Sequence, residues 1–211
     1  MAPRPPVGLD TGPAGRPFDF SAAMRTLCRD IARRCPDLAH IDVSRILFTI
    51  AKARNGRRQG LQARVTPLRF RDGALATIRR GVPLQVQRFV VNGRDALYVV
   101  SFCLPRFQNR SFVDKLVTVF HELYHMSPAF DGDLRRHAGR YSAHTASQKK
   151  YDAHMAELIR GYLAHGADEA CSEFLRLSFA QLSQRHGSIV GLHLPRPKLI
   201  PVPLAPPRPQ V

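Results

Sequence analysis

The chain has 211 residues, of which 44% are hydrophobic, and its formal net charge at pH 7 is +16. This length and composition are typical of one folded domain with its own core, and no apolar run reaches the roughly 20 residues of a membrane-spanning helix. The excess of basic side chains favours a polyanionic partner, either a nucleic acid or an acidic protein.

Proline marks both ends of the chain. The first 17 and last 17 residues hold 12 of the 17 prolines. This predicts two tails, 1–17 and 194–211, that lack a regular helix or a central strand and flank a domain at 18–193. The first tail has no apolar segment of the kind found in secretory signal peptides. Because the four cysteines also show no close pairing, we expect a cytoplasmic protein with reduced cysteines.

The domain is predicted to be α+β. Its first helix is expected at about 21–34, where Met24, Cys28 and Ile31 recur at helical spacing. Strands are expected at 44–53, 61–67 and about 75–78, and a hairpin with an Asn92-Gly93 turn is expected to join 86–91 to 96–104. A motif helix follows, and two further helices are predicted at about 151–164 and 167–185. The strands would form a small, twisted, mostly antiparallel sheet.

The most informative segment is 121–125, which reads H-E-L-Y-H and matches the H-E-x-x-H motif of zinc peptidases. On a helix, His121 and His125 lie one turn apart on the same face, so both imidazoles can bind one Zn²⁺ ion. Glu122 lies beside them, where its carboxylate can act as the general base toward a metal-bound water. These three residues are therefore the predicted core of a catalytic zinc site.

The surrounding pattern places this motif on a buried helix. Ser111 followed by Asp114 predicts an N-cap, so the helix is expected to begin at Phe112 and to end before Pro128. Apolar residues cover most of its surface, and the histidines and the glutamate share a narrow polar strip. A helix of this kind is normally buried, which would place the polar strip at the floor of a cleft.

A catalytic zinc also needs a third protein ligand, for which the residues leave several candidates. Asp131 has the metzincin spacing after His125, although Pro128 replaces the glycine of that pattern, and Asp131 and Asp133 could equally form a turn. His137 would lie on a short helix beginning near 134. His144 and Glu157, together with Asp152, follow further along the chain. An oxyanion could be stabilised by any of three later side chains, Tyr141, Tyr151 or His154.

The motif together with residues 126–145 resembles an uncharacterised family of bacterial and phage metallopeptidases and, more distantly, the SprT-like minimal zincins. The resemblance implies a zincin-like fold with an H-E-x-x-H helix beside a twisted sheet. In SprT-like proteins a third histidine follows the motif after a loop, which implies that His144 completes the ligand set with His121 and His125. It also implies a protein or peptide substrate, which the basic charge would place near nucleic acid.

Two other functions compete with a zinc metallopeptidase. One is a non-catalytic zinc-containing protein that binds nucleic acid or regulates a partner. The other is a metal-dependent hydrolase of another kind, such as a ribonuclease. The presence of Glu122 favours the peptidase, because a structural zinc site has no need of a general base beside its ligands.

Overall fold

The computed structural model describes residues 16–53, 60–136 and 148–203, with the side chains of 148–152 left aside. This part of the chain is a mixture of helices and small sheets, which confirms the predicted α+β class. Its helices are α1 (Phe20–Arg34), α2 (Phe112–Tyr124), α3 (Gln148–Ala164), α4 (Glu169–Ser172) and α5 (Phe179–His186). Its strands are β1 (Phe18–Asp19), β2 (Ile46–Lys52), β3 (Ala63–Pro67), β4 (Ala76–Arg79), β5 (Val82–Val86), β6 (Val90–Val91), β7 (Arg94–Asp95), β8 (Tyr98–Leu104), β9 (Ile189–Val190) and β10 (Leu199–Pro201).

The central sheet has the order β2-β8-β3 and is mixed, because β2 runs parallel to β8 while β3 runs antiparallel to it. One face packs against α1 and α2 and contributes Phe48, Val65 and Phe102 to the main core. The opposite face carries a smaller core around Leu47 and Val99. Strand β3 forms the edge that lies next to α2.

The long hairpin predicted across Asn92-Gly93 is wrong. The turn itself forms, with positive φ at both residues, but only the two-residue strands β6 and β7 pair across it. Residues 82–86 instead form β5, which pairs with β4 and β10, and β8 pairs with β2 and β3. The reason is that β8 is almost wholly buried and is the central strand of its sheet. Its two edges are taken by β2 and β3, so no edge is left to pair with residues 86–91. The strands also form four small sheets rather than the single sheet expected.

Two helix predictions also need correction. The helix expected at 167–185 is broken into α4, a 3₁₀ turn (Glu173–Arg176) and α5. The break coincides with Ser178, which caps α5 in a reciprocal capping box with Gln181. The short helix expected near 134 is absent from the described residues 134–136, because Leu134 pairs with Met126 in an isolated β-bridge.

The proline-rich C-terminal segment lies on the body of the protein as far as it is described. The backbone N–H of Ile50 donates to the carbonyl of Leu192, and Leu194 packs against the smaller core. Strand β10 then pairs antiparallel with β5 as an edge strand, where its proline leaves no ladder bond unmade. No helix of the described residues is long and apolar enough to cross a membrane.

Candidate metal centre

Helix α2 presents the motif because both its ends and its apolar face are fixed. The Ser111 hydroxyl accepts from the Asp114 N–H at 3.1 Å, which confirms the predicted N-cap. Leu116, Phe120 and Leu123 are buried in the main core. This apolar face anchors α2 and leaves His121 and Glu122 on the side that faces β3.

The two motif histidines converge on one point. Their Nε2 atoms lie 2.8 Å apart, and their rings are nearly perpendicular at 85°. Two imidazole nitrogens that bind one tetrahedral zinc at its usual bond length lie about 3.3 Å apart, so a shift of a few tenths of an ångström would accommodate the ion. Both side chains are half-buried, which limits competition from water. The pair therefore fits a zinc ion.

Glu122 is almost buried, with 7% of its surface exposed, and its Oε2 accepts from the backbone N–H of Val65 at 2.6 Å. Burial raises the pKa of Glu122 to about 7, and the Val65 N–H and the positive charge of Arg64 only partly oppose this rise. A carboxyl group with a pKa near neutrality can both accept and return a proton at physiological pH.

A cavity of about 320 Å³ lies between α2 and the edge strand β3. His121, Glu122 and Thr118 line it from the helix, and Gly60 and Ala63 line it from the strand side. The even-numbered residues of β3 direct their backbone N–H and C=O groups toward β8. The hydrogen bond from the Cys103 N–H to the carbonyl of Gln62 fixes this alternation. The odd-numbered residues, Ala63 among them, therefore direct their backbone polar groups toward this cavity.

The loop after the motif folds back onto His125 and the sheet. The Arg135 N–H donates to the carbonyl of His125 at 2.7 Å, and the Tyr98 hydroxyl donates to the carbonyl of Asp133 at 2.8 Å. The side chain of Asp131 packs against Gly73, and its carboxylate accepts from the Asp133 N–H. The carboxylate of Asp133 is held by the N–H groups of Asp72 and Leu134 and by Arg136. In this structure Asp131 and Asp133 therefore stabilise a turn, the role that the sequence offered as an alternative to metal binding.

No third metal-binding side chain is seen beside His121 and His125 among the described residues. They contain no group of three or more His, Cys, Asp or Glu side chains arranged to hold a metal ion. Glu157 is exposed on α3 and lines a separate pocket with Asp37 and His165. His137, Tyr141 and His144 lie outside the described residues, as do the side chains of Tyr151 and Asp152. The assignment of His144 therefore stays a prediction.

Sequence reasoning missed the contact that holds the Glu122 carboxylate. The partner of Glu122 is a backbone N–H that lies 57 residues earlier in the chain, and a backbone group carries no sequence signature. The sequence shows the alternation of buried and exposed residues in β3, but it does not show which helix the edge of this strand faces. Also missed was Arg135, whose guanidinium lies 4.0 Å from the centre of the Tyr124 ring inside the motif.

Comparison of the chain with protein-family models, with curated proteins and with solved structures finds no match.

Proposed function

We propose that this chain is a zinc-dependent metallopeptidase with a zincin-like arrangement of helix and sheet. The observation that carries the proposal is the 2.8 Å separation of the His121 and His125 Nε2 atoms, with Glu122 beside them at the wall of a cavity. Two half-buried imidazoles at this distance need a proton or a cation between them, and Zn²⁺ is an ion that imidazole ligands bind well and that the H-E-x-x-H pattern favours. His144 is proposed as the third ligand from its spacing and from the SprT-like resemblance.

The chemistry divides between the metal and Glu122. A zinc ion bound there would supply a Lewis acid that polarises a scissile carbonyl and acidifies a water molecule. The Val65 N–H holds Oε2 of Glu122, which leaves Oε1 to take a proton from the attacking water and to return it to the leaving amine. The raised pKa of Glu122 suits this exchange, although a neighbouring cation would lower that pKa.

The cleft suits an extended peptide. Its strand side is the edge of β3, where the outward-facing groups of Ala63 could pair with a substrate backbone by strand addition. Its helix side brings His121 and Glu122 to the same space. A substrate chain that adds to this edge would pass directly over the proposed metal, so we propose a protein or peptide substrate.

The test combines metal analysis with turnover. Purified wild-type protein is expected to carry one zinc per chain and to cleave a fluorescein-labelled unfolded protein. His121→Ala and His125→Ala should lose both properties, whereas Glu122→Gln should keep the zinc and lose turnover, because an amide cannot accept the proton. Wild-type protein that binds no zinc would overturn the proposal, and wild-type turnover by Glu122→Gln would exclude Glu122 as the base.

One observation favours the second candidate, a non-catalytic zinc-containing protein that binds nucleic acid or regulates a partner. The bond from Val65 to Glu122 gives this carboxylate a structural use, since it ties α2 to β3. If that is its only use, wild-type protein will hold zinc without turnover, and Glu122→Gln will lower stability without any other effect.

A further inference from the structure

The sheet β10-β5-β4 differs from the rest of the molecule in its charge. Its three strands lie within two segments, 74–94 and 187–203, that contain no Asp or Glu. They hold six of the basic residues, Arg79, Arg80, Arg88, Arg94, Arg196 and Lys198. Arg79, Arg80, Arg196 and Lys198 lie in the strands of this sheet or next to them, whereas Arg88 and Arg94 lie beyond β5.

The tip of this sheet is a turn between β4 and β5 that carries two arginines. Arg80 and Gly81 both have positive φ, at 50° and 77°, and form a two-residue hairpin turn next to Arg79. Both arginine side chains are exposed, and within the described part of the chain neither lies at ion-pair distance from a carboxylate. Arg88 and Arg94, in contrast, are paired with Asp95 and Asp42.

The base of the sheet adds two further exposed cations. Lys198 lies beside Gln87, whose N–H donates to its carbonyl, and Arg196 precedes it. Five residue steps along β5 separate Val82 at the tip from Gln87, a distance of about 17 Å. Duplex DNA presents about ten phosphate charges over the same length of its axis. The spacing of the cations therefore suits a contact that extends along a nucleic-acid backbone.

We propose that the sheet β10-β5-β4 binds the phosphate backbone of duplex nucleic acid without sequence preference. Segments 74–94 and 187–203 contain one aromatic residue, Phe89, and its side chain packs against the smaller core. The sheet therefore offers no row of exposed aromatic rings on which unpaired bases could stack, so a duplex is preferred to a single strand. The guanidinium groups at the tip suit bidentate phosphate contacts. Exposed apolar side chains accompany these cations, with Val82 at the tip and Ile78 and Ile200 behind it, at 44%, 67% and 45%. An anionic membrane surface is therefore the alternative that the vesicle measurement below tests.

The experiment uses the full chain and a short fluorescein-labelled DNA duplex, with fluorescence anisotropy measured over a salt series. The test variant is Arg79→Gln/Arg80→Asn, in which Asn suits the left-handed backbone at position 80 and keeps the hairpin folded. The matched control is Arg29→Gln/Arg160→Gln, which removes two exposed arginines from α1 and α3. The test variant should lose about tenfold in affinity and about two units of salt slope, and the control less than about twofold.

Three results would overturn the proposal. Equal losses in the two variants would show that the charge acts diffusely rather than through this sheet. No binding of the wild-type chain at low salt would remove the interaction altogether. Tight binding to phosphatidylserine vesicles that depends on Arg79 and Arg80, with no binding to DNA, would assign the sheet to a membrane surface. Because Glu122→Gln should bind DNA like the wild type, the result is independent of the proposed hydrolysis.

Discussion

The Oε2 atom of Glu122 lies 2.6 Å from the backbone nitrogen of Val65, so the carboxylate beside the two motif histidines also joins helix α2 to the edge of the central sheet. Val65 is an odd-numbered residue of β3, and its N–H points away from β8. The same strand edge that would meet a peptide thus holds the proposed base. The position of Glu122 depends on this strand as much as on its own helix.

The first prediction follows from that bond. Val65→Pro removes the N–H that stabilises the carboxylate, and proline is tolerated where a strand N–H faces away from its ladder. Because the bond lowers the pKa of Glu122, its loss should raise that pKa further above about 7 in the metal-free protein. The measurement is an NMR titration of the Glu122 side-chain carboxyl carbon. Turnover should fall as well, because the base is no longer oriented.

Val65→Ala is the control, since it keeps the N–H and removes only buried methyl groups. It should leave the pKa of Glu122 as in the wild type and lower the free energy of unfolding by about 1–2 kcal/mol. If the two variants give the same pKa for Glu122, the bond does not position the carboxylate in solution.

The second prediction concerns the third ligand. His144→Ala should weaken zinc binding severely, while Asp131→Ala and His137→Ala should leave it nearly intact, because the carboxylate of Asp131 is used in its own turn. Metal content after dialysis against a weak chelator measures this. Loss of zinc on Asp131→Ala, with retention on His144→Ala, would indicate a metzincin-like site and would contradict the SprT-like resemblance.

Short-range features of the fold could be predicted from the sequence. The cap at Ser111, the helix that it begins and the buried face of α1 follow from spacings of three or four residues, and the structure confirms them. The pairing of β2 with β8 could not be predicted, because it joins residues about fifty positions apart. The Asn92-Gly93 turn was recognised correctly, but a turn determines only its own neighbours, and burial of β8 decided the rest of the pairing.

For the candidate site as well, the sequence predicts local features but not contacts between distant segments. His121, Glu122 and His125 could be chosen as candidates because zinc peptidase chemistry would require them within one helical turn. The Val65 N–H and the cavity beside Ala63 depend on which strand edge faces α2, and such a relationship has no local pattern. Arg79 and Arg80 contribute to the total charge that the sequence gives, but only the folded sheet shows that no carboxylate of the described residues lies at ion-pair distance from either of them.

The third prediction concerns Asp30, which is buried on α1. Its carboxylate accepts from Arg33, Arg34, the Tyr162 hydroxyl and the Asp168 N–H, and so joins α1 to α3 and to the start of α4. Asp30→Asn removes the charge from this network and should lower the free energy of unfolding at pH 7 by about 2–3 kcal/mol. Asp37→Asn, at an exposed site, should change it by less than about 0.5 kcal/mol.

The pH dependence of this effect has a defined sign. Burial acts to raise the pKa of Asp30, but the hydrogen bonds from Arg34, Asp168, Tyr162 and Arg33 outweigh it and lower the pKa. The stability that the carboxylate contributes is therefore complete above its unfolded pKa of about 3.9 and is lost as the pH falls through the lowered folded value. Urea unfolding of wild type and Asp30→Asn should converge in this acidic range. A constant difference at every pH would contradict the assignment.

The last prediction concerns Lys115, which lies in α2 and is 1% exposed. Its ammonium group donates to the carbonyls of Leu175 and Leu177, both at 2.8 Å, and has no carboxylate partner among the described residues. Burial lowers its pKa from 10.5 to about 8. Between these two values the unfolded chain binds a proton that the folded chain does not, so the free energy of unfolding should rise with pH.

The measurement compares the wild type with Lys115→Met by urea unfolding from pH 7 to pH 10.5, where the Met side chain fills the same space without a charge. The wild type should gain up to about 3 kcal/mol relative to the variant over this range, because one pKa unit corresponds to about 1.4 kcal/mol. Lys52→Met, at an exposed site on β2, should run parallel to the wild type. Parallel curves for Lys115→Met as well would show that the buried amine keeps its ordinary pKa.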